Sequence, residues 1–206
     1  MFFSFDGIDG TGKSTQMKLF IEWLRGCGYD VVDCRDPGGT PLGEKLRDIL
    51  LHKSDMSICR RAEMFLYMAS RAQLVAKVIR PALDAGKSVV SDRYLLANVA
   101  YQGYTGEVDA DDVWRVGDVA VQGVKPTTVF LLDMPAQDAF RRLDREQDRM
   151  EAQGRDFMEQ VRQGFLREAD RRSEIIVIDA AGDIDSVQAD IRSAAERRLQ
   201  LDENQT

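Results

Sequence analysis

Met1–Phe5 form an apolar run, MFFSF, that leads directly into GIDGTGKST at positions 7–15. Beyond it, Met17, Phe20, Trp23 and Leu24 recur at helical spacing until Gly26 and Gly28 interrupt the pattern. Gly7, Gly12, Lys13 and Ser14 fill every fixed position of the P-loop pattern G-x4-G-K-[S/T], between a strand and a helix as the pattern requires. Glycines allow the backbone to turn several N–H groups onto one anion. The helix N-terminus adds partial positive charge at the same place. Gly7, Ile8, Asp9, Gly10, Thr11, Gly12, Lys13, Ser14 and Thr15 are therefore expected to cradle a nucleotide's phosphates. Lys13 should reach the β- and γ-phosphates, and the Ser14 hydroxyl should ligate magnesium.

The rest of the chain repeats this strand-then-helix rhythm. Val31–Cys34, SVVS (88–91), TTVFLLD (127–133) and EIIVID (174–179) read as further short strands, with helical segments between them. Helices are expected at Leu42–Leu51 and over roughly Arg60–Asp84, where Pro81 should bend or break the second. Short apolar strands alternating with helices imply an α/β fold, a mostly parallel sheet covered on both faces. No repeat or linker divides the 206 residues, so one domain is expected over 1–206, with only the tail from about 202 to 206 disordered.

Charge and cysteine usage narrow the function classes. A net charge of −7 lacks the basic excess of a broad nucleic-acid-binding surface. Cys27, Cys34 and Cys59 have no CxxC spacing, so buried or inert thiols in a reducing compartment are expected. No leader and no apolar stretch of about 20 residues is present, and a cytoplasmic protein with no membrane partner is expected. A guanine-reading Asn-Lys-x-Asp is missing too, since neither Asn98 nor Asn204 precedes a lysine.

Three further segments bear on the second ligand. RDPGGT (35–40) follows the second strand, with Arg47 one helix beyond; alone it is ordinary turn punctuation. In FLYMASRAQL (65–74), Tyr67 and Arg71 share a helix face, where a ring can stack on a flat base and a guanidinium can donate to its edge. The plain alternative is a core tyrosine with an arginine on the rim. SDRYLLANVAYQG (91–103) starts at the end of a strand, where open α/β sheets bind ligands, so Asp92 and Arg93 suit magnesium and phosphate. Asn98, Tyr101 and Gln102 follow on what should be a helix across the cleft.

Taken in order, GIDGTGKST, RDPGGT, FLYMASR, SDRY…AYQG, TVFLLDMP and DRME closely resemble the thymidylate (dTMP) kinase family, from residue 2 to about 180. The resemblance implies the P-loop NTPase fold, a five-stranded parallel sheet with a short helical lid at about 141–156, and transfer of the ATP γ-phosphate to dTMP with magnesium. It also implies a homodimer. Arg47 and Arg93 match the arginines that clamp the monophosphate, Tyr67 the ring stacked on thymine, and Arg71 the donor to a thymine carbonyl. Gln102 and Asn98 match base contacts, and Tyr101 the tyrosine under the sugar. Asp6 and Asp36 replace the glutamates common in bacterial members, shortening the reach by about one methylene. Asp9 should face the acceptor, and Ser14 and Asp92 should serve the metal. Since the loop interior Ile8–Thr11 holds no arginine, a lid-type member is implied, with Arg149 of DRME and Arg145 as catalytic cations.

Two other readings fit part of this pattern. A deoxynucleoside kinase would need a carboxylate base, for which Asp36 is available, but would leave two phosphate-clamping arginines without a task. A catalytically silent paralogue would be expected to lose Lys13, Arg93 or the lid arginines, and all are present.

Overall fold

All five apolar runs form strands in the computed structural model, which describes residues 1–52, 56–106, 108–143 and 149–203. They are β1 (Phe2–Asp6), β2 (Val31–Arg35), β3 (Ser88–Asp92), β4 (Thr128–Asp133) and β5 (Ile175–Asp179). Every pairing is parallel, in the order β2-β3-β1-β4-β5. Strands of this kind are buried on both faces, which is why β1 is apolar almost throughout and not alternating.

Alternate side chains of β1 serve two different cores. Phe3 and Phe5 face α1 (Lys13–Gly26), where Phe20 packs 5.2 Å and 5.5 Å from their rings and Phe130 of β4 closes the cluster. Phe2 points the other way, edge-on to Tyr94 at 5.0 Å, into a cluster with Met64 and Met68 of α3 (Arg60–Leu74). The remaining helices are α2 (Pro41–Leu51), α4 (Arg80–Asp84), α5 (Leu95–Asn98), α6 (Ala110–Val121), α7 (Ala136–Arg141), α8 (Arg155–Ala169) and α9 (Ile184–Glu203).

Several sequence expectations need correction. Pro81 does not break its helix. A π-helical turn, Val75–Ile79, joins α3 to α4, and Pro81 falls in the first turn of α4, where its missing N–H is tolerated. The sequence groups Trp114, Val116, Val119 and Val121 as an apolar helix face, but the apolar residues of α6 do not form one face. Val113, Gly117 and Val121 turn inward, whereas Val119 is 77% exposed. Cys27 and Cys59 are exposed, and only Cys34 is partly covered, where burial pushes its thiol up to about 12. α9 stays helical to Glu203, past the expected start of a disordered tail; residues 204–206 lie outside the described residues. No described helix is long and apolar enough to cross a membrane.

Phe20 touches aromatic rings from β1 and β4 and is fully buried. Phe20→Ala should therefore destabilise the protein by about 3–5 kcal/mol, read from urea unfolding with an unchanged m-value.

Candidate active site

Strand order decides where a cleft can form. β1 lies between β3 and β4, and the chain leaves it for β2 before returning to β3, so the carboxyl ends of β1 and β3 flank a switch point. Phe5 pairs with Asp92 and Arg35 also pairs with Asp92, which brings the ends of three strands level. The phosphate loop leaves β1 here. Gly7, Gly10 and Gly12 have φ of 134°, 89° and 87°. A Cβ at Gly10 would overlap the Ala139 carbonyl, and one at Gly7 the Leu132 carbonyl, so the loop lies directly against the backbone of β4 and α7. No side chain caps α1 and no acidic residue occupies its first turn, which keeps its N-terminal positive end for an anion.

A cleft of about 740 Å³ lies over this loop, lined by residues 9–16 and by Arg35, Asp36, Arg47, Asp92 and Arg93. Its far end is closed by Arg142, Leu143, Ala180, Gly182 and Ile184. A second cavity, of about 110 Å³, adjoins it and is lined by Tyr67, Arg71, Asn98, Tyr101 and Gln102, with Ala97, Pro37, Leu51 and Met150. Asp9, Asp36, Arg47 and Arg93 line both.

Within the loop, Lys13 is buried and folds back to donate to Ile8 O at 2.8 Å, with Asp9 Oδ1 at 3.4 Å. Burial and the neighbouring Arg93 lower its pKa from the usual lysine range. Arg93 donates to Gly7 O at 2.9 Å and to Asp9 Oδ1 at 2.7 Å, and its guanidinium lies 5.3 Å from the Tyr101 ring centre. It sits at φ 65°, the left-handed region that a non-glycine residue rarely occupies. Burial works against charge on Asp9, but Arg93 and Lys13 outweigh it and hold that carboxyl well below the usual range. Ser14 Oγ stands 3.5 Å from Asp92 Oδ2. Among the described residues no three His, Cys, Asp or Glu side chains gather for a metal. One hydroxyl and one carboxylate oxygen beside a phosphate cradle suit a hard, largely hydrated divalent ion.

The second cavity is built on two helical segments. Arg71 is not a rim residue, as the plain alternative had it, but the largest fully buried side chain among the described residues. Asp36 takes its Nε at 2.5 Å and Tyr94 O its Nη2 at 3.2 Å, while Tyr67 one turn earlier lines the same space. α5 then passes into a π-helical turn, Val99–Gly103, so the expected helix across the cleft is irregular. The wider turn carries Tyr101 and Gln102 onto the cavity with Asn98.

All nine residues expected at the acceptor thus line one cavity, and Asp9–Thr15 with Asp92 line the other. Gly7 and Ile8 line neither; they lie behind the loop, where their carbonyls hold Arg93 and Lys13. Arg149 is not at the phosphate cleft either. Its guanidinium donates to Leu50 O at 2.6 Å and to buried Glu63. Arg145 falls among 144–148, outside the described residues. Arg142, which the sequence motifs do not single out, also lines the cleft and donates to Ala180 O at 3.0 Å. The signal for its partners was available: Ala180–Gly182 follow the carboxyl end of β5.

A parallel sheet with a phosphate loop at its switch point, a second cavity beside it and four charged side chains common to both defines a P-loop kinase of small nucleotides. The thymidylate kinase family model matches residues 5–191. A thymidylate kinase of Rhodopirellula baltica is 49% identical over 88% of this chain and 74% of its own length. One of Thermosipho africanus is 42% identical over 97% and 100% of the two chains. The crystal structure of thymidylate kinase from Ehrlichia chaffeensis superimposes with a TM-score of 0.76 at 30% identity, over 95% of this chain and 98% of that one. The chain belongs to the thymidylate kinase family.

Asp6, beneath the loop, is fully buried with Oδ1 unpartnered, and burial raises its pKa to about 6 against the opposing charge of Arg93. The native state then holds this proton more tightly than the unfolded chain, whose carboxyl titrates near 3.8. Stability from this group is greatest below pH 4, falls as pH rises from about 4 to 6, and is constant above. Asp6→Asn should flatten thermal stability across that window and stabilise the free protein at pH 7 by up to about 3 kcal/mol.

Proposed function

We propose that the two joined cavities hold ATP and dTMP end to end and that the protein transfers the ATP γ-phosphate to dTMP, giving ADP and dTDP. The observation that carries this reading is the shared wall. Asp9, Asp36, Arg47 and Arg93 border both cavities, so phosphates entering from the two sides meet between the same cations. A nucleoside kinase would have no acceptor phosphate for Arg47 and Arg93 to hold.

The attacking oxygen of dTMP is already anionic, so the chain's task is alignment and charge neutralisation rather than proton removal. Lys13 leaves Ile8 O for the β- and γ-phosphates, while Arg93 and Arg47 hold the acceptor phosphate. Asp9, pinned by Arg93, faces the sugar. Tyr67 stacks on thymine, Arg71 donates to its carbonyl, and Tyr101 sits under the deoxyribose. Arg142 with Ala180–Gly182 forms the adenine end of the cleft. Ser14 and Asp92 would hold magnesium, which would neutralise phosphate charge when bound. The enzyme is a cytoplasmic homodimer, with exposed Phe65 of α3 and Val119 of α6 on the apposed surfaces.

A substrate panel tests the reaction. With ATP and magnesium, dTMP should be phosphorylated well ahead of UMP and thymidine; phosphorylation of thymidine but not dTMP would overturn the assignment. For the cationic arm, residues 141–156 act as the lid and Arg149 with Arg145 supplies the charge that the loop lacks. Arg149→Ala should then lower kcat about 10³-fold. A kcat within about threefold of the parent would confine Arg149 to its pairing with Glu63.

A further inference from the structure

Glu63, on α3, is fully buried, yet it lines neither cavity. Oε1 accepts from Gln102 Nε2 at 2.8 Å and from Arg60 Nη1 at 3.2 Å, and Oε2 accepts from Arg149 Nη2. A carboxylate paired with two guanidinium groups offers acceptors only, so Gln102 must turn its amide nitrogen toward it. Gln102 Oε1 then faces Asn98 and accepts from Asn98 Nδ2 at 2.6 Å. That leaves Asn98 Oδ1 as the acceptor at the end of the chain. It is buried and has no partner among the described residues, and Asn98 lines the base cavity. Two amides, each able to point either way on its own, are thus locked in one sense by a single charge.

We propose that Glu63 is a positioning residue that sets the hydrogen-bond polarity of the base cavity and thereby selects thymine against cytosine. The inference rests on the thymidylate reading of that cavity. Thymine presents an N3–H donor, which Asn98 Oδ1 can accept, whereas cytosine presents a bare N3 whose lone pair faces the same oxygen. An acceptor left buried without a donor makes the mismatch expensive.

Glu63→Gln unlocks the chain. Arg60 at the Oε1 position and Arg149 at the Oε2 position would compete for the single carbonyl of the substituted side chain, and where Arg149 holds it the amide nitrogen turns toward residue 102. Gln102 would then present Oε1 to it and Nε2 to Asn98, and Asn98 would offer Nδ2 to the base. The double substitution E63Q/Q102E restores the original sense, because a carboxylate at 102 accepts from both neighbours and returns Asn98 Oδ1 to the cavity.

Steady-state kinetics of the full chain with ATP and dTMP, dUMP or dCMP decide the matter. In E63Q the dTMP-over-dCMP preference in kcat/KM should fall at least tenfold. The KM values for dTMP and dUMP, which share the N3–H edge, should rise together. E63Q/Q102E should bring the preference back to within about threefold of the parent. An E63Q preference within threefold of the parent, or a double variant no more selective than E63Q, overturns the proposal. Should E63Q fail to fold, the double variant decides alone: retained preference supports the mechanism, and a loss beyond tenfold overturns it. A parent inactive on dTMP overturns the thymidylate reading and this inference with it, whereas an active parent with an unaltered E63Q overturns only the inference.

Discussion

Arg93 is the side chain on which the rest of the site hangs. It leaves the end of β3 in a left-handed backbone conformation, with its own N–H on Phe5 O at 2.9 Å, and so crosses from one strand to the neighbouring one. Its guanidinium then fixes the first carbonyl of the phosphate loop, the carboxylate of Asp9 and the ring of Tyr101. Loop, cleft wall and the Tyr101 ring therefore keep their spacing through one planar cation. Lysine could not do this, because a single ammonium cannot hold a carbonyl, a carboxylate and a ring face from fixed directions. A strained φ at this position is maintained because three separate elements over-determine the side chain.

The two cavities differ in how their charges are managed. Around the phosphates, cations outnumber the carboxylates that face them, and Lys13 and Arg47 are held by carbonyl oxygens, Ile8 O and Pro37 O, that incoming phosphates can displace. Around the second cavity, the carboxylates Asp36 and Glu63 are engaged by guanidinium groups, Asp36 by Arg71 and Glu63 by Arg60 and Arg149, and the Asn98 and Gln102 amides line the space beside Arg71. The first arrangement suits polyanions that arrive and leave. The second suits a neutral ring that must be recognised by the direction of its hydrogen bonds.

Much of this was legible in the sequence because it depends on local patterns. Five apolar runs became five strands within about a residue, and the central β1, β3 and β4, buried on both faces, have few other residues to use. The phosphate loop is legible because glycine is required where φ is positive and backbone approaches backbone, as at Gly7 and Gly10. What stayed hidden depends on which residues meet across the fold. Arg142 looks like one more charge in an arginine-rich segment until the end of β5 is placed opposite it. Glu63 looks like one more solvated helix charge until α3 is packed against the π-helical turn that carries Gln102. Arg149 shows the limit from the other side: its motif drew attention, but its contacts in this structure are with Leu50 and Glu63, which no spacing rule predicts.

The aspartates at 6 and 36 connect these levels. Each stands where the resemblance expects a longer glutamate, and each is fully buried with Oδ1 unpartnered and Oδ2 engaged, by Ser4 in one case and Arg71 in the other. A carboxylate one methylene longer would carry its second oxygen further into the cleft. Asp36 still borders both cavities and positions Arg71, whereas Asp6 lines neither and lies beneath the loop beside Arg93. Among the described residues the phosphate cleft is lined by Lys13, Arg35, Arg47, Arg93 and Arg142 against Asp9, Asp36 and Asp92, so it is locally positive while the protein as a whole is acidic. In a site that must gather two polyanions, that local balance matters more than the net charge of −7.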